Sequence, residues 1–264
     1  MVQLKGSNMR PVHTPRWFAA LALIALIAPA TACSSDDAPN RATQAQTQHH
    51  APPEAIRPTV DGDALRGSAQ YDYDIATSLT EAAGKADVVA VGRVTGWSDG
   101  RLVHDGDEAL KHAVLELHVD RAFAGTDDET LYVELSRGGT LINPDGSEQE
   151  LRKGERYAQR FIDDLTHAAP IGVRVLVLGV ESPSDAEVEA AGGNTVVKTW
   201  TAPVSEATLL RGVPQGLFFE DQDGSYVSGV VEQADVELGS WPAARGEKAD
   251  SFQRLLDELE AHHR

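Results

Sequence analysis

Cys33 is the only cysteine in a chain of 264 residues, so no internal disulfide can form and any folded part must rest on its own core. Its position is equally informative. Residues 1–16 contain Lys5, Arg10 and Arg16 and no acid, and Trp17 to Ala28 (WFAALALIALIA) is uninterrupted apolar sequence. Pro29 breaks the run, and Ala30-Thr31-Ala32 leads directly into the cysteine. A basic start, a short apolar run and small residues before a cut site form a secretory signal peptide. About a dozen apolar residues fall short of the roughly twenty that a membrane-spanning helix needs.

Small residues running into a cysteine resemble the lipobox of bacterial lipoproteins. In that family the sulfur receives a diacylglycerol and a peptidase cuts immediately ahead of it. The resemblance implies that residues 1–32 are removed and that Cys33 becomes the acylated first residue of the mature chain. It also implies a protein held on the extracytoplasmic face of the cell membrane, with the membrane itself as a partner. Ala30 stands where the family usually has leucine. Each buried methylene of an acyl chain such as palmitate contributes about 0.8 kcal/mol, so a multiply acylated cysteine is a firm anchor. The alternative is ordinary secretion, with cleavage after Ala30 or Ala32 and a free thiol.

The whole chain has a formal charge of −18, from 23 basic and 41 acidic residues. Removing the leader takes three bases and no acid, leaving 20 against 41, or −21. Such a surface repels nucleic-acid phosphates and anionic lipid headgroups, which argues against nucleic acid as a partner. Residues 33–70 then read as a disordered tether. From Ser34 to Arg66 the chain is rich in Ser, Asp, Gln, Thr, Pro and Ala, with too little apolar surface to offset chain entropy. His49-His50 in this stretch reads as incidental rather than as a metal tract.

Residues 71–240 read as the folded domain and 241–264 as a C-terminal helix packed on it. Ile75, Leu79 and Ala82 mark a short helix from Asp74 to Ala83, capped by Asp74 and stopped by Gly84. Val88 to Trp97 reads as a strand. Ala113, Leu115, Leu117 and Val119 alternate with Glu116, His118 and Asp120, as in a half-buried strand, and Leu131, Val133 and Leu135 alternate again after a turn at Gly125–Glu129. Gly138-Gly139 and Asn143–Gly146 signal turns. Tyr157, Phe161 and Leu165 predict a helix over 150–165, and the apolar run Arg174–Val180 predicts a central strand. Ser182–Gly193 reads as a loop, Val196–Ala202 alternates weakly, and Leu217–Glu220 and Ser225–Val231 form a hairpin around Asp221–Gly224. Phe252, Leu255, Leu256 and Leu259 mark the final amphipathic helix.

The expected fold is mainly β (α+β), an antiparallel sheet closing on itself with short flanking helices. The succession "ADVVAVGRV", "VDRAFAG", "LYVEL" and "GVRVLVLG" resembles actinobacterial envelope lipoproteins of undefined function, and more distantly the OB-type barrel of netrin-like domains. The second resemblance implies an OB-like barrel. Netrin-like domains depend on disulfides, and their metalloprotease inhibitors on an N-terminal cysteine wedge, so inhibition does not carry over to a chain whose one cysteine is Cys33.

No catalytic motif stands out. There is no G-x-S-x-G, no phosphate loop and no H-E-x-x-H. His104, Asp105, Asp107 and Glu108 could meet a divalent cation at a loop, although a solvated hairpin tip explains them as well. His112 and His118 lie six apart on one strand, about 20 Å, too far for one metal. Asp221–Tyr226 lacks the glycine and glutamate positions of a calcium loop and reads as a turn, and Asp163-Asp164 reads as a wet helix face. Trp97 and Trp200 read as core or rim, with a ligand-stacking role open for Trp200, and Trp241-Pro242 as a staple for the last helix. The expected function is a non-enzymatic binding or interaction module for an envelope protein or small ligand, with no cofactor. The alternatives are an envelope hydrolase with a site around His104 and Asp105, or a cation-binding domain.

Overall fold

The computed structural model describes residues 58–66, 76–149, 160–192, 195–197, 208–229, 241 and 251–263. All belong to one compact unit, Pro52–Arg264. The leader, Cys33, His49, His50, Asp74, Trp200 and Pro242 lie outside the described residues. So does most of the stretch read as tether. Its end, residues 58–66, instead folds against the domain: a short helix α1 (Gly62–Arg66) buries Leu65, and Val60 is buried beside it.

Strand β1 (Val88–Asp105) runs well past Trp97 and turns at Gly106-Asp107 into β2 (Glu108–Ala124). Gly106 takes φ +61 there, which a tight two-residue hairpin turn requires. β3 (Thr130–Ile142) pairs antiparallel with β2, and the short β4 (Glu148–Gln149) pairs with the end of β3. β5 (Arg174–Glu181) lies against the first part of β1, Val88 to Arg93. β6 (Thr195–Val197) lies against the last part, Leu102 to His104. β7 (Leu209–Glu220) pairs antiparallel with β5 and then β8 (Tyr226–Ser228).

The fold is therefore mainly β, but the eight-stranded sheet among the described residues is mixed rather than antiparallel. β3 also pairs in parallel with β7, from Tyr132 opposite Leu209 to Glu134 opposite Arg211. The reason is arithmetic. Pairing runs β1–β2–β3–β7–β5 and back to β1. Five strands cannot alternate direction around a circuit, so one neighbouring pair must run parallel.

Central strands carry apolar side chains on both faces. Val88, Ala90 and Val94 of β1, Val175 and Val177 of β5, and Leu217 and Phe219 of β7 join Ala113, Leu115, Leu117, Leu131 and Val133 in one core. The intervening Val89, Val91, Leu176, Leu178 and Phe218 form a second core on the other face. Two helices cover this second face: α2 (Leu79–Ala83) and, at the C-terminus, α5 (Phe252–His262), which buries Phe252, Leu255, Leu256 and Leu259. Trp241 is buried in the same cluster, against Phe218. Among the described residues no helix is long and apolar enough to cross a membrane.

Local differences from the sequence reading have local causes. α2 starts at Leu79 because Ser78 caps it, its Oγ accepting from Glu81 N at 3.1 Å, and Gly84 ends it as expected. α3 (Ile162–Ala168) begins after Phe161, which is 61 % exposed although its spacing from Leu165 matches a buried helix face. The segment 182–193, expected as a loop, contains α4 (Asp185–Gly192). Gly138-Gly139 sits inside β3 rather than in a turn.

Gly125, which starts the β2–β3 turn, has φ +79 and lies so close to the chain before β1 that a Cβ would fall 1.7 Å from Asp87 O. Gly125→Ala is expected to destabilise the protein by more than about 2 kcal/mol, from backbone strain plus a backbone clash. Gly106→Ala, with φ +61 and open space around the new Cβ, is expected to cost only the strain, about 1 to 2 kcal/mol. Urea unfolding of the two variants checks the difference, and equal costs would refute it.

Candidate functional site

Two β-bulges flank β2 at the same level. Between Asp99–Ala113 and Leu102–Lys111, β1 has Gly100 and Arg101 where β2 has His112 alone. Between Leu110–Gly139 and His112–Ser136, β3 has Arg137 and Gly138 where β2 has Lys111 alone. Gly138 takes φ +95, open to glycine without strain. Gly100 permits close approach, since a Cβ there would lie 3.0 Å from His112 Cβ. Bulges bend a strand and re-aim its side chains. Here they turn Arg101 into the protein.

The side chains of Arg101 and Glu134 are 5 % and 4 % exposed. Arg101 Nε donates to Glu134 Oε1 at 2.7 Å, and Nη2 donates to Glu134 Oε2, a bidentate pair. Nη2 also donates to Ser182 Oγ at 2.6 Å, and Ser182 Oγ donates to Glu134 Oε2 at 2.8 Å. Nη1 donates to Pro183 O at 2.6 Å and lies 3.6 Å from Asp185 Oδ1. One guanidinium thus ties together β1, β3 and the start of the β5–α4 connection.

His112 completes the junction. Its Nδ1 lies 3.1 Å from Arg101 O. A carbonyl only accepts, so this nitrogen carries the hydrogen. The carbonyl of His112 in turn accepts from Arg137 Nε at 3.2 Å. Burial pushes the imidazole pKa below its usual 6.5, and the Arg101 and Arg137 charges push the same way, against Glu134 and the bond to Arg101 O. The ring is held neutral.

Chemically this is a buried junction whose donors and acceptors partner one another. The Ser182 hydroxyl donates to the Glu134 carboxylate and accepts from Arg101, so both of those groups stand at its oxygen. No family model, no curated protein and no solved structure matches this chain. The site must be read from its own geometry.

The residues singled out from sequence fall elsewhere. His104 is on β1 opposite Ala109, and Asp105 is opposite Glu108, so these neighbours project to opposite faces of the hairpin. Only Gly106 and Asp107 form the turn. Among the described residues no group of three or more His, Cys, Asp or Glu side chains is placed to hold a metal. His118 is exposed opposite Thr130, well along β2 from His112. Asp221–Gly224 is a hairpin turn, Gly224 N donating to Asp221 O at 2.9 Å, and Asp221 Oδ1 accepts from Val60 N at 3.0 Å. Asp164 Oδ2 accepts from Phe161 N at 3.2 Å at the start of α3. Trp97 Nε1 donates to Ala169 O at 2.9 Å.

Sequence reasoning missed Arg101, Glu134, Ser182 and Gln215. Gln215 is fully buried with φ +64, a strained value for a side-chain-bearing residue. Its Oε1 accepts from Ala76 N at 2.7 Å and its Nε2 donates to Trp241 O, which ties the approach to α2 to the segment before α5. The one available signal was the interruption of apolar alternation at Gly100-Arg101.

Removing one partner of a buried pair strands the other charge. Glu134→Ala is expected to cost about 3–5 kcal/mol, and the double variant Arg101→Met/Glu134→Leu much less than that. Chemical denaturation of both variants checks this. A double variant as unstable as the single one would show that packing rather than charge pairing dominates the junction.

Proposed function

We propose that this chain is a membrane-anchored extracytoplasmic lipoprotein whose folded domain is a non-enzymatic binding or interaction module. The observation that carries the reading is the place of Cys33. The only thiol follows a basic start, a twelve-residue apolar run and the small residues Ala30-Thr31-Ala32, where lipid attachment chemistry needs it. Residues after Cys33 serve as the spacer to the domain.

The domain is read as an OB-like barrel. The pairing circuit β1–β2–β3–β7–β5, its one parallel pair between β3 and β7, and α3 between β3 and β5 support this. In OB folds the loop between the first two strands and the loop between the last two take part in binding. The corresponding segments here are the turn at 106–107 and the 182–208 connection, and β6 from the latter pairs with β1 beside the former. By this analogy the interaction surface lies at that outer end. Its partner is an envelope protein or a small ligand rather than nucleic acid. Many of the domain's bases, including Arg66, Arg93, Arg101, Arg121, Arg137 and Arg174, already face carboxylates, so the outward field is acidic and opposes polyanions.

Mass spectrometry of the chain recovered from membranes tests the anchor. The expected result is an N-terminal Cys33 carrying a diacylglycerol, with Cys33→Ser released from the membrane fraction. An unmodified Cys33, or a membrane-bound serine variant, would overturn the reading.

A further inference from the structure

We propose that His112 is an acid-sensitive latch: proton uptake by its ring releases the outer part of the β1–β2–β3 ribbon, together with β4 and β6, from the folded domain. The placement of the two bulges carries this. His112 sits on the strand that both bulges share. On one side of it, β1 from Val88 to Arg93 is paired with β5 and lies between the two apolar cores. On the other side, among the described residues, Leu102 to His104 pairs outward with β6 alone, and Leu141 and Ile142 with the two-residue β4. Both ladders are interrupted at the junction, at Gly100-Arg101 on β1 and at Arg137-Gly138 on β3. Across the break at this level run His112, through its ring to Arg101 O and its carbonyl to Arg137 Nε, and the ion pairs Arg101–Glu134 and Asp99–Arg137.

The surroundings leave little room for a second proton. Arg101 and Asp99 face the junction from β1, Glu134 and Arg137 from β3, Lys111 adjoins His112 on its own strand, and Asp185 reaches in through Arg101. The counter-charges are already engaged. Glu134 holds Arg101 in a bidentate pair, and Asp99 Oδ1 accepts from Arg137 Nη2 at 2.5 Å. A protonated ring would add a cation beside two guanidinium groups. Opening the ribbon exposes the charged ring to more water.

The sign follows from linkage. The closed ring has its pKa lowered below 6.5, whereas an opened, hydrated ring titrates near 6.5. Between those two values the open form binds more protons, so opening is favoured as pH falls, by up to about tenfold per pH unit. Above 6.5 both forms are neutral and pH has no effect through this group.

Hydrogen exchange of the full chain at about pH 7.5 and about pH 5, corrected for intrinsic exchange rates, tests the latch. Peptides covering 102–110 and 138–142 are expected to lose protection on acidification, while 174–178 keeps it. His112→Gln retains a neutral N–H donor and removes the titration, so the acid response is expected to vanish. Equal protection of 102–110 at both pH values, or an unchanged acid response in the glutamine variant, would overturn the proposal. An NMR titration of the wild-type ring is independent of any variant, and a pKa at or above 6.5 would overturn it too.

Discussion

Apolar burial on both faces of β1, β5 and β7 is the constraint on which the rest of the structure depends. With Cys33 unable to pair internally, no covalent link restrains the unfolded chain. The fold compensates by using each central strand twice. Val175 and Val177 enter one core while Leu176 and Leu178 enter the other, and Phe219 and Phe218 divide in the same way on β7. A strand covered on both faces demands a second layer. That demand explains α2 and α5, whose buried residues Leu79, Ala82, Phe252, Leu255, Leu256 and Leu259 have no other surface to cover. Large side chains buried in this way each contribute on the order of 1.5–3 kcal/mol.

This two-faced burial also decides what was legible in the sequence. Arg174–Val180 reads as a central strand because its apolar residues are consecutive, and the structure buries both sides of it. Ala113, Leu115 and Leu117 are legible because they enter the core together while Glu116 and His118 between and after them are more exposed, although Val114 on that second face is also buried. The second half of β1 was not legible. Ser98, Asp99, Gly100 and Arg101 have the composition of a loop, yet they lie in a strand whose pairing with β2 is set by backbone hydrogen bonds. Glu134 was hidden for a related reason. It alternates with Leu131, Val133 and Leu135 as a solvated residue would, and only tertiary packing brings Arg101 and Ser182 over it. Pairing between distant strands leaves no periodic trace, so the parallel β3–β7 contact could not be read from local pattern either.

The junction occupies the place where the two-layer core ends. Beyond Val94, β1 leaves β5 and with it the second apolar layer. From there directional contacts join the buried Val103 and Ala109 in holding the ribbon: the Arg101–Glu134 pair, Ser182, and the bonds through His112. Local stability follows local burial and is not uniform across a fold. Here the interruption of the ladders at the bulges and the end of the two-layer core coincide.

Why a charged pair stands at this point, where apolar residues of similar size would cost less desolvation, has an answer in register. A slip of one residue turns every side chain of a strand to its opposite face, and each bulge is already a shift of that size. In a hairpin with glycine at positions 96 and 100 and few large side chains between, apolar packing distinguishes neighbouring registers weakly. A bidentate Arg101–Glu134 contact does not share that tolerance. A one-residue shift would move the guanidinium about 3.3 Å along the strand, out of hydrogen-bond range of both carboxylate oxygens, and would strand two buried charges at once. The pair thus disfavours shifted alignments, and the observed alignment sets His112 opposite the Gly100-Arg101 bulge.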